Sequence, residues 1–215
     1  MKSNNDKISM SVIRRLPRYY RFLSDLERRG TNRISSRELS ARMGLTASQI
    51  RQDLNCFGGF GQQGLGYIVP QLREEIGSIL GIDRVYRTVL IGAGNLGRAI
   101  ASHMDFATHG FQLIGIFDCN PALVGQEIRG LKIQSEQMLE DFCAAQHPET
   151  AILCVPMAAA EPLGKRLMQA GVRSFWNFSH YDFSVDYPEM IVENVHMNDS
   201  LMTLCYRMSA QDRGE

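Results

Sequence analysis

The chain has 215 residues, 44% apolar and 21% charged, which is enough for one large or two modest domains with buried cores. No run of 18 apolar residues exists to span a bilayer, and Met1-Lys-Ser-Asn-Asn-Asp-Lys7 lacks the apolar stretch of a secretion signal, so a cytoplasmic protein without a membrane partner is expected. The net charge of zero hides a division: residues 1–80 hold 13 Lys/Arg against 7 Asp/Glu, net +6, while residues 81–215 hold 10 against 16, net −6, which predicts two domains, the first facing a polyanion.

From about Ser11 to Arg29, Ile13, Leu16, Tyr20, Leu23 and Leu26 recur at helical spacing and Gly30 is a natural stop. Arg14, Arg15, Arg18 and Arg21 fall largely on other faces, open to phosphates or to water. Ser35-Ser-Arg-Glu38 is a capping box opening a short helix that ends at Gly44, and Thr46-Ala-Ser-Gln49 is a second one, opening a helix with Ile50, Leu54 and Phe57 on one side. Two short helices joined by a tight glycine turn, with a third before them, predict a helix-turn-helix. The second helix of such a pair enters the major groove, so Ala47, Ser48, Arg51 and Gln52 are candidates for contact with double-stranded DNA. Arg suits the O6 and N7 of guanine, and Gln the N6 and N7 of adenine. The alternative is a helical hairpin whose polar face meets only water.

Phe57-Gly-Gly-Phe-Gly-Gln-Gln-Gly-Leu-Gly-Tyr-Ile-Val69 carries too many apolar residues for a flexible linker and reads as a β-hairpin, the wing of a winged helix. Pro70 then starts a helix over Gln71 to Leu80, and Gly81 ends it. The expected domains are 1–81 for DNA, 82–196 for a nucleotide, and 197–215 for a terminal helix and tail.

The second domain opens with an apolar run, Val85 to Ile91, a glycine turn, Gly92-Ala93-Gly94-Asn95-Leu96-Gly97, and a helix from Arg98 that can continue to Phe106. In a dinucleotide site the first glycine makes the turn, the second lets backbone approach a pyrophosphate, and the third lets helix and strand pack closely. Asp118 ends the next apolar run about 20 residues later, where a ribose-binding acid is expected. Its carboxylate would repel a 2′-phosphate, and Cys119-Asn-Pro121 offers no Arg to hold one, so the expected cofactor is NAD(H) rather than NADP(H). Leu131 to Ile133, Thr150 to Val155 and Val172 to Asn177 read as strands, with helices over Glu136 to Ala145 and Ala158 to Ala170, and Met190 to Val195 could add a last strand. This alternation predicts an α/β, Rossmann-like parallel sheet. Val155, Pro156, Asn177, Phe178 and Ser179 would lie at strand C-terminal ends, where open sheets bind ligands. The terminal helix, Ser200 to Met208, carries Leu201, Leu204, Cys205 and Met208, and either docks on its own sheet or crosses to a partner subunit.

Five cysteines stand singly, without a Cys-x-x-Cys pair, and read as reduced thiols rather than a metal or disulfide framework. The five His residues show no catalytic motif, and little chain follows Asn177 to build a substrate pocket. The expectation is therefore not an enzyme. A small NAD-dependent oxidoreductase with an accessory domain, and a DNA-binding protein whose second domain takes another nucleotide such as a CoA derivative, remain the alternatives.

Ser35-Ser-Arg-Glu-Leu-Ser40, Gln49-Ile-Arg-Gln-Asp-Leu54, the glycine-rich wing, Gly92 to Gly97, Asn177-Phe-Ser179 and Glu193-Asn-Val195 together resemble the Rex family of bacterial redox-sensing transcriptional repressors over nearly the whole chain. The resemblance implies a homodimer with swapped terminal helices, seated on a pseudo-palindromic operator and released when NADH replaces NAD+. Gly92, Gly94, Gly97 and Asp118 match the family's cofactor positions and Arg51 a base-reading position. The chain departs from the commoner pattern at His103, where a Tyr beside the nicotinamide is expected, and at His196-Met197, where many members have Asp-Phe. Arg21 matches an Arg that pairs with that Asp, and Gln52 and Gln63 replace basic residues of the recognition helix and wing.

Overall fold

A computed structural model describes residues 8–58, 60 and 66–213, whose contacts group into two compact units, Met1–Asp83 and Arg84–Glu215. In the first unit, α1 (Met10–Ile13) and α2 (Leu16–Arg28) replace the single expected helix, with the break at Arg14-Arg15. The residue that fills the core from α2 is Tyr19, fully buried, while Tyr20 packs at its margin. Ser35 and Glu38 form the expected reciprocal capping box at the start of α3 (Ser36–Met43), and Gly44 ends that helix in the left-handed conformation. The second box is only half formed. Thr46 accepts from the Gln49 amide to start α4 (Ala47–Asn55), but the Gln49 side chain turns instead to Asp53.

Ile50 and Leu54 of α4 are fully buried against Leu16, Leu23 and Leu39, each contributing roughly 1.5–3 kcal/mol of hydrophobic stabilisation. Strand β2 (Tyr67–Ile68) pairs antiparallel with β1 (Arg33–Ile34), a short strand between α2 and α3 that periodicity did not reveal. Most of the expected wing tip, Gln63 included, lies outside the described residues. The unit closes with α5 (Val69–Leu80), which begins with Pro70 in its first turn and ends at Gly81.

The second unit holds a seven-stranded sheet. Its strands are β3 (Tyr86–Ile91), β4 (Phe111–Asp118), β5 (Glu127–Ile128), β6 (Leu131–Ser135), β7 (Thr150–Leu153), β8 (Ser174–Asn177) and β9 (Ile191–Asn194). They run in the order β5-β6-β4-β3-β7-β8-β9, all parallel except the β5 edge. From β3 the chain steps outward through β4 to β6, then recrosses to β7 on the other side of β3. That reversal opens a crevice at the C-terminal edge, the ligand position of doubly wound sheets.

Helix α6 (Asn95–His103) follows β3; α7 (Leu139–Gln146), α8 (Met157–Gln169) and the unexpected short α9 (Phe183–Asp186) precede β7, β8 and β9. Two apolar cores result. Leu90, Ile100 and Ile116 belong to one, while Val89, Phe117, Leu163 and Phe183 belong to the other. The last helix, α10 (Met197–Asp212), is longer than expected and buries no residue.

Candidate functional site

The Gly92 to Gly97 turn leaves β3 in the middle of the sheet, and two of its glycines are required by the chain itself. Gly92 has φ of +95°, and a Cβ there would lie 2.4 Å from the Cys154 carbonyl oxygen. A Cβ on Gly97 would lie 1.8 Å from the Gly92 carbonyl oxygen, so α6 reaches its close seat on β3 only without one. Gly94 differs. Its φ is −65°, in the extended region, and a Cβ would meet no protein atom within 4 Å. The fold does not need glycine there; a backbone that a phosphate approaches does.

Gly94 is also the N-cap of α6, and no side chain caps that helix. Its first-turn N–H groups and dipole are therefore left for an anion. Asp118 closes the far side. Its Oδ2 accepts from the Ala93 amide at 2.6 Å and its Oδ1 from the Asn120 amide at 2.7 Å, which ties the ends of β3 and β4 together. A carboxylate has about four acceptor positions, so each oxygen keeps one for a ribose hydroxyl. The Val155 side chain packs against Gly92 from the end of β7, and Pro156 caps α8 beside it.

Asn177 and Ser179 build the turn that follows β8. Asn177 is fully buried; its amide donates to the Tyr181 carbonyl and to Asn194 Oδ1, and its oxygen accepts from the Ser179 amide and hydroxyl. These bonds fix the turn after β8 and so hold Phe178 in place between them. Phe178 is half-buried and packs edge-to-face on Trp176. His103 is exposed at the last position of α6, and His196, the N-cap of α10, stacks on His180 with ring centroids 5.8 Å apart. Beside Gly92, burial pushes the Cys154 thiol up to about 12 and so keeps it an unreactive thiol at neutral pH. Burial also raises Cys143.

In the first unit, α4 presents Ser48, Arg51, Gln52 and Asn55 on one exposed face that lines a shallow groove. Arg51 donates to the Ser36 hydroxyl at 3.1 Å, and Arg18 and Arg21 are exposed on α2. Arg15, expected to be open to phosphate, is committed inward. Its Nε and an Nη clamp the Asp53 carboxylate, both at 2.7 Å. Sequence reasoning missed Asp53 and Tyr19, although an acid at the buried spacing between Ile50 and Leu54 was the available signal.

Met197, Leu201, Met202, Leu204, Tyr206 and Met208 of α10 are each at least half exposed, so the first of the two expected arrangements, docking on its own sheet, is not the one adopted. The sheet itself carries a groove of about 520 Å³ between Met104, Phe106, Phe111, Ile152 and Trp176. Among the described residues no cluster of His, Cys, Asp and Glu could hold a metal ion, and no helix is long and apolar enough to cross a membrane.

Residues 7–55 match the family described as "Putative DNA-binding protein N-terminus", and residues 83–181 match the "CoA binding domain". The chain is 51% identical over 210 residues to the redox-sensing transcriptional repressor Rex of Thermoanaerobacter pseudethanolicus, covering 98% of this chain and 93% of that one. The chain belongs to the Rex family of redox-sensing transcriptional repressors. The Rex of Clostridioides difficile is 51% identical over 204 residues, 95% of this chain and 97% of its own. Among solved structures, the Rex-family repressor RSP in complex with beta-NAD+ and operator DNA matches with a TM-score of 0.88 and 51% identity, over 95% of this chain and 94% of that one. RSP in complex with beta-NADH matches with a TM-score of 0.87 and 48% identity over 97% of both.

Proposed function

We propose that this protein is a cytoplasmic, homodimeric transcriptional repressor that holds a pseudo-palindromic operator and releases it when NADH binds. The observation that carries the reading is the end-to-end likeness, at 51% identity, to a Rex-family repressor crystallised with both NAD+ and operator DNA. On the first unit, Ser48, Arg51 and Gln52 would meet base edges, and Arg18, Arg21 and Gln63 would stand ready for the backbone. On the second, the Gly94 turn and the α6 N-terminus would hold the pyrophosphate and Asp118 the adenosine ribose diol. Val155, Pro156, Phe178 and His103 would line the nicotinamide end. The bound dinucleotide supplies the signal through the charge and shape of its nicotinamide, and the chain supplies the response.

The dimer is assigned to α10, whose apolar side chains are at least half exposed within one chain, and to His196 and Met197 at its start. A second copy covering α10 would link each nucleotide domain to its neighbour, with Arg21 as a contact in one state of the switch. The domains assigned are 1–81, 82–196 and 197–215. A CoA derivative is the poorer fit, because the 3′-phosphate on its adenosine ribose would meet the Asp118 carboxylate. An oxidoreductase is poorer still, since the polar atoms of Asn177 and Ser179 are already paired within the chain.

The test is selection of a duplex from a random pseudo-palindromic library at fixed salt, followed by titration of NAD+ and NADH. Release by NADH at concentrations where NAD+ leaves the complex intact is the expected result. Equal release by both would refute ratio sensing, because a ligand that binds two states equally shifts nothing.

A further inference from the structure

A carboxylate lies in the middle of the helix-turn-helix core. Asp53 is fully buried between Ile50 and Leu54 on the inner face of α4. It accepts from Arg15 Nε and an Arg15 Nη at 2.7 Å each, from the Tyr19 hydroxyl at 2.9 Å and from Gln49 Nε2 at 3.0 Å. Arg15 stands where α1 breaks from α2, and Tyr19 lies about one turn further along α2, so the bonds fasten the recognition helix to the helix behind it.

An apolar residue of the same size would fill this place without the cost of taking a carboxylate out of water. What it would not supply is direction. Contacts made by Ile50 and Leu54 are non-directional, whereas a guanidinium fork on a carboxylate admits one orientation. Orientation matters on the opposite face, where Ser48, Arg51 and Gln52 are exposed. Side-chain ends lie about 6 Å from a helix axis, so a turn of about 20° carries them roughly 2 Å. That exceeds the tolerance of a hydrogen bond to a base edge, whose whole range is about 2.7–3.2 Å.

We propose that Asp53, with Arg15, Tyr19 and Gln49, is a positioning network for sequence readout, setting the rotation of α4 about its own axis so that Ser48, Arg51 and Gln52 meet base edges in register. This rests on the operator-binding reading above. Arg15 then serves DNA binding through Asp53 and not through a phosphate.

The test uses the full-length chain with Asp53→Asn, Tyr19→Phe and Arg15→Lys. The probes are the duplex that the unaltered protein selects from a random pseudo-palindromic library and a scrambled duplex of equal length, at several salt concentrations. Asp53→Asn should bind the selected duplex about tenfold or more weakly, the worth of one good base contact, while its affinity for the scrambled duplex stays the same. Tyr19→Phe and Arg15→Lys should shift the ratio the same way by a smaller factor. The salt dependence should not change, because phosphate contacts are untouched.

A network that served stability alone would weaken both duplexes together in proportion to the unfolded fraction, read by circular dichroism, and that outcome overturns the proposal. So does an unchanged ratio in folded variants. If Asp53→Asn does not fold, Tyr19→Phe, which keeps its ring packing, and Arg15→Lys decide the matter. Loss of selectivity in the unaltered protein would overturn the operator reading and this one with it, whereas a selective parent with indifferent variants overturns only this one.

Discussion

Gly94→Ala should separate folding from cofactor binding. At φ −65° in extended backbone, alanine is allowed, and its Cβ would meet no protein atom within 4 Å, so the folded state gains no clash. Reducing the freedom of the unfolded chain at such a site stabilises by about 0.4–1 kcal/mol. For a chain of this size that raises Tm by about 1–4 °C. The same methyl stands where backbone must come close to a pyrophosphate, and a tenfold or larger loss in NADH affinity is expected. In a thermal-shift titration with NADH at about 100 times the wild-type Kd, ligand stabilises the parent by about 2.7 kcal/mol. A tenfold weaker variant at the same concentration gains only about 1.4 kcal/mol. Gly97→Ala is the contrasting control, because its Cβ would lie 1.8 Å from the Gly92 carbonyl oxygen and should cost the fold itself. Undiminished NADH affinity in Gly94→Ala, or a large fall in its Tm without ligand, would refute this reading of the turn.

Asp118→Asn should narrow the preference for NADH over NADPH in direct titrations, since it removes the charge that repels a 2′-phosphate; an unchanged preference would place the adenosine ribose elsewhere. Asparagine, whose single oxygen can still accept from one of the Ala93 and Asn120 amides, leaves one amide without an acceptor where alanine leaves both, at about 1–3 kcal/mol each. Burial alone would raise the Asp53 carboxyl, but hydrogen bonds from Arg15, Gln49 and Tyr19 outweigh it and hold the group below the usual range. A carboxyl lowered in this way adds stability that is fully present above its unfolded value of about 3.9 and disappears as pH falls through its folded value. Melting curves of the first unit should therefore fall off below about pH 4, and more gently in Asp53→Asn. Leu201→Asp with Leu204→Asp should turn a dimer into a monomer by sedimentation while the folded units survive, because exposed positions change a single chain's stability by no more than about 0.5 kcal/mol.

Much of this architecture was legible because the strongest signals are local. Ser35 with Glu38 fixes a helix start within four residues, and the glycine turn between an apolar run and a helix announces a βαβ unit whatever surrounds it. What escaped notice depends on partners distant in sequence. Strand β1 is two residues long and exists because Tyr67 and Ile68 reach it. Tyr19 replaces Tyr20 in the core because its hydroxyl meets an acid 34 positions away, which periodicity cannot express. At the site, Asn177 and Ser179 were visible by position, but only geometry shows them bonded to each other, and Asn177 to Tyr181 and Asn194.

Ratio sensing also explains why an unpartnered α10 matters. To move a protein from 1:99 to 99:1 between DNA-bound and released forms, a ligand must favour one form by about 10⁴, or about 5.5 kcal/mol. NADH and NAD+ differ by one charge on a nicotinamide ring. At about 6 Å and an effective dielectric of 20, one such charge is worth only about 2.8 kcal/mol to a neighbouring group. One site in one chain falls short by half. Two sites that switch together in a dimer supply about 2 × 2.8 kcal/mol, which meets the requirement. A helix whose Leu201, Leu204 and Met208 are each half or more exposed in a single chain would, in the proposed dimer, be more than a means of association. In the proposed dimer, coupling two nucleotide sites to two recognition helices would make a small difference in ring charge large enough to decide whether DNA is held.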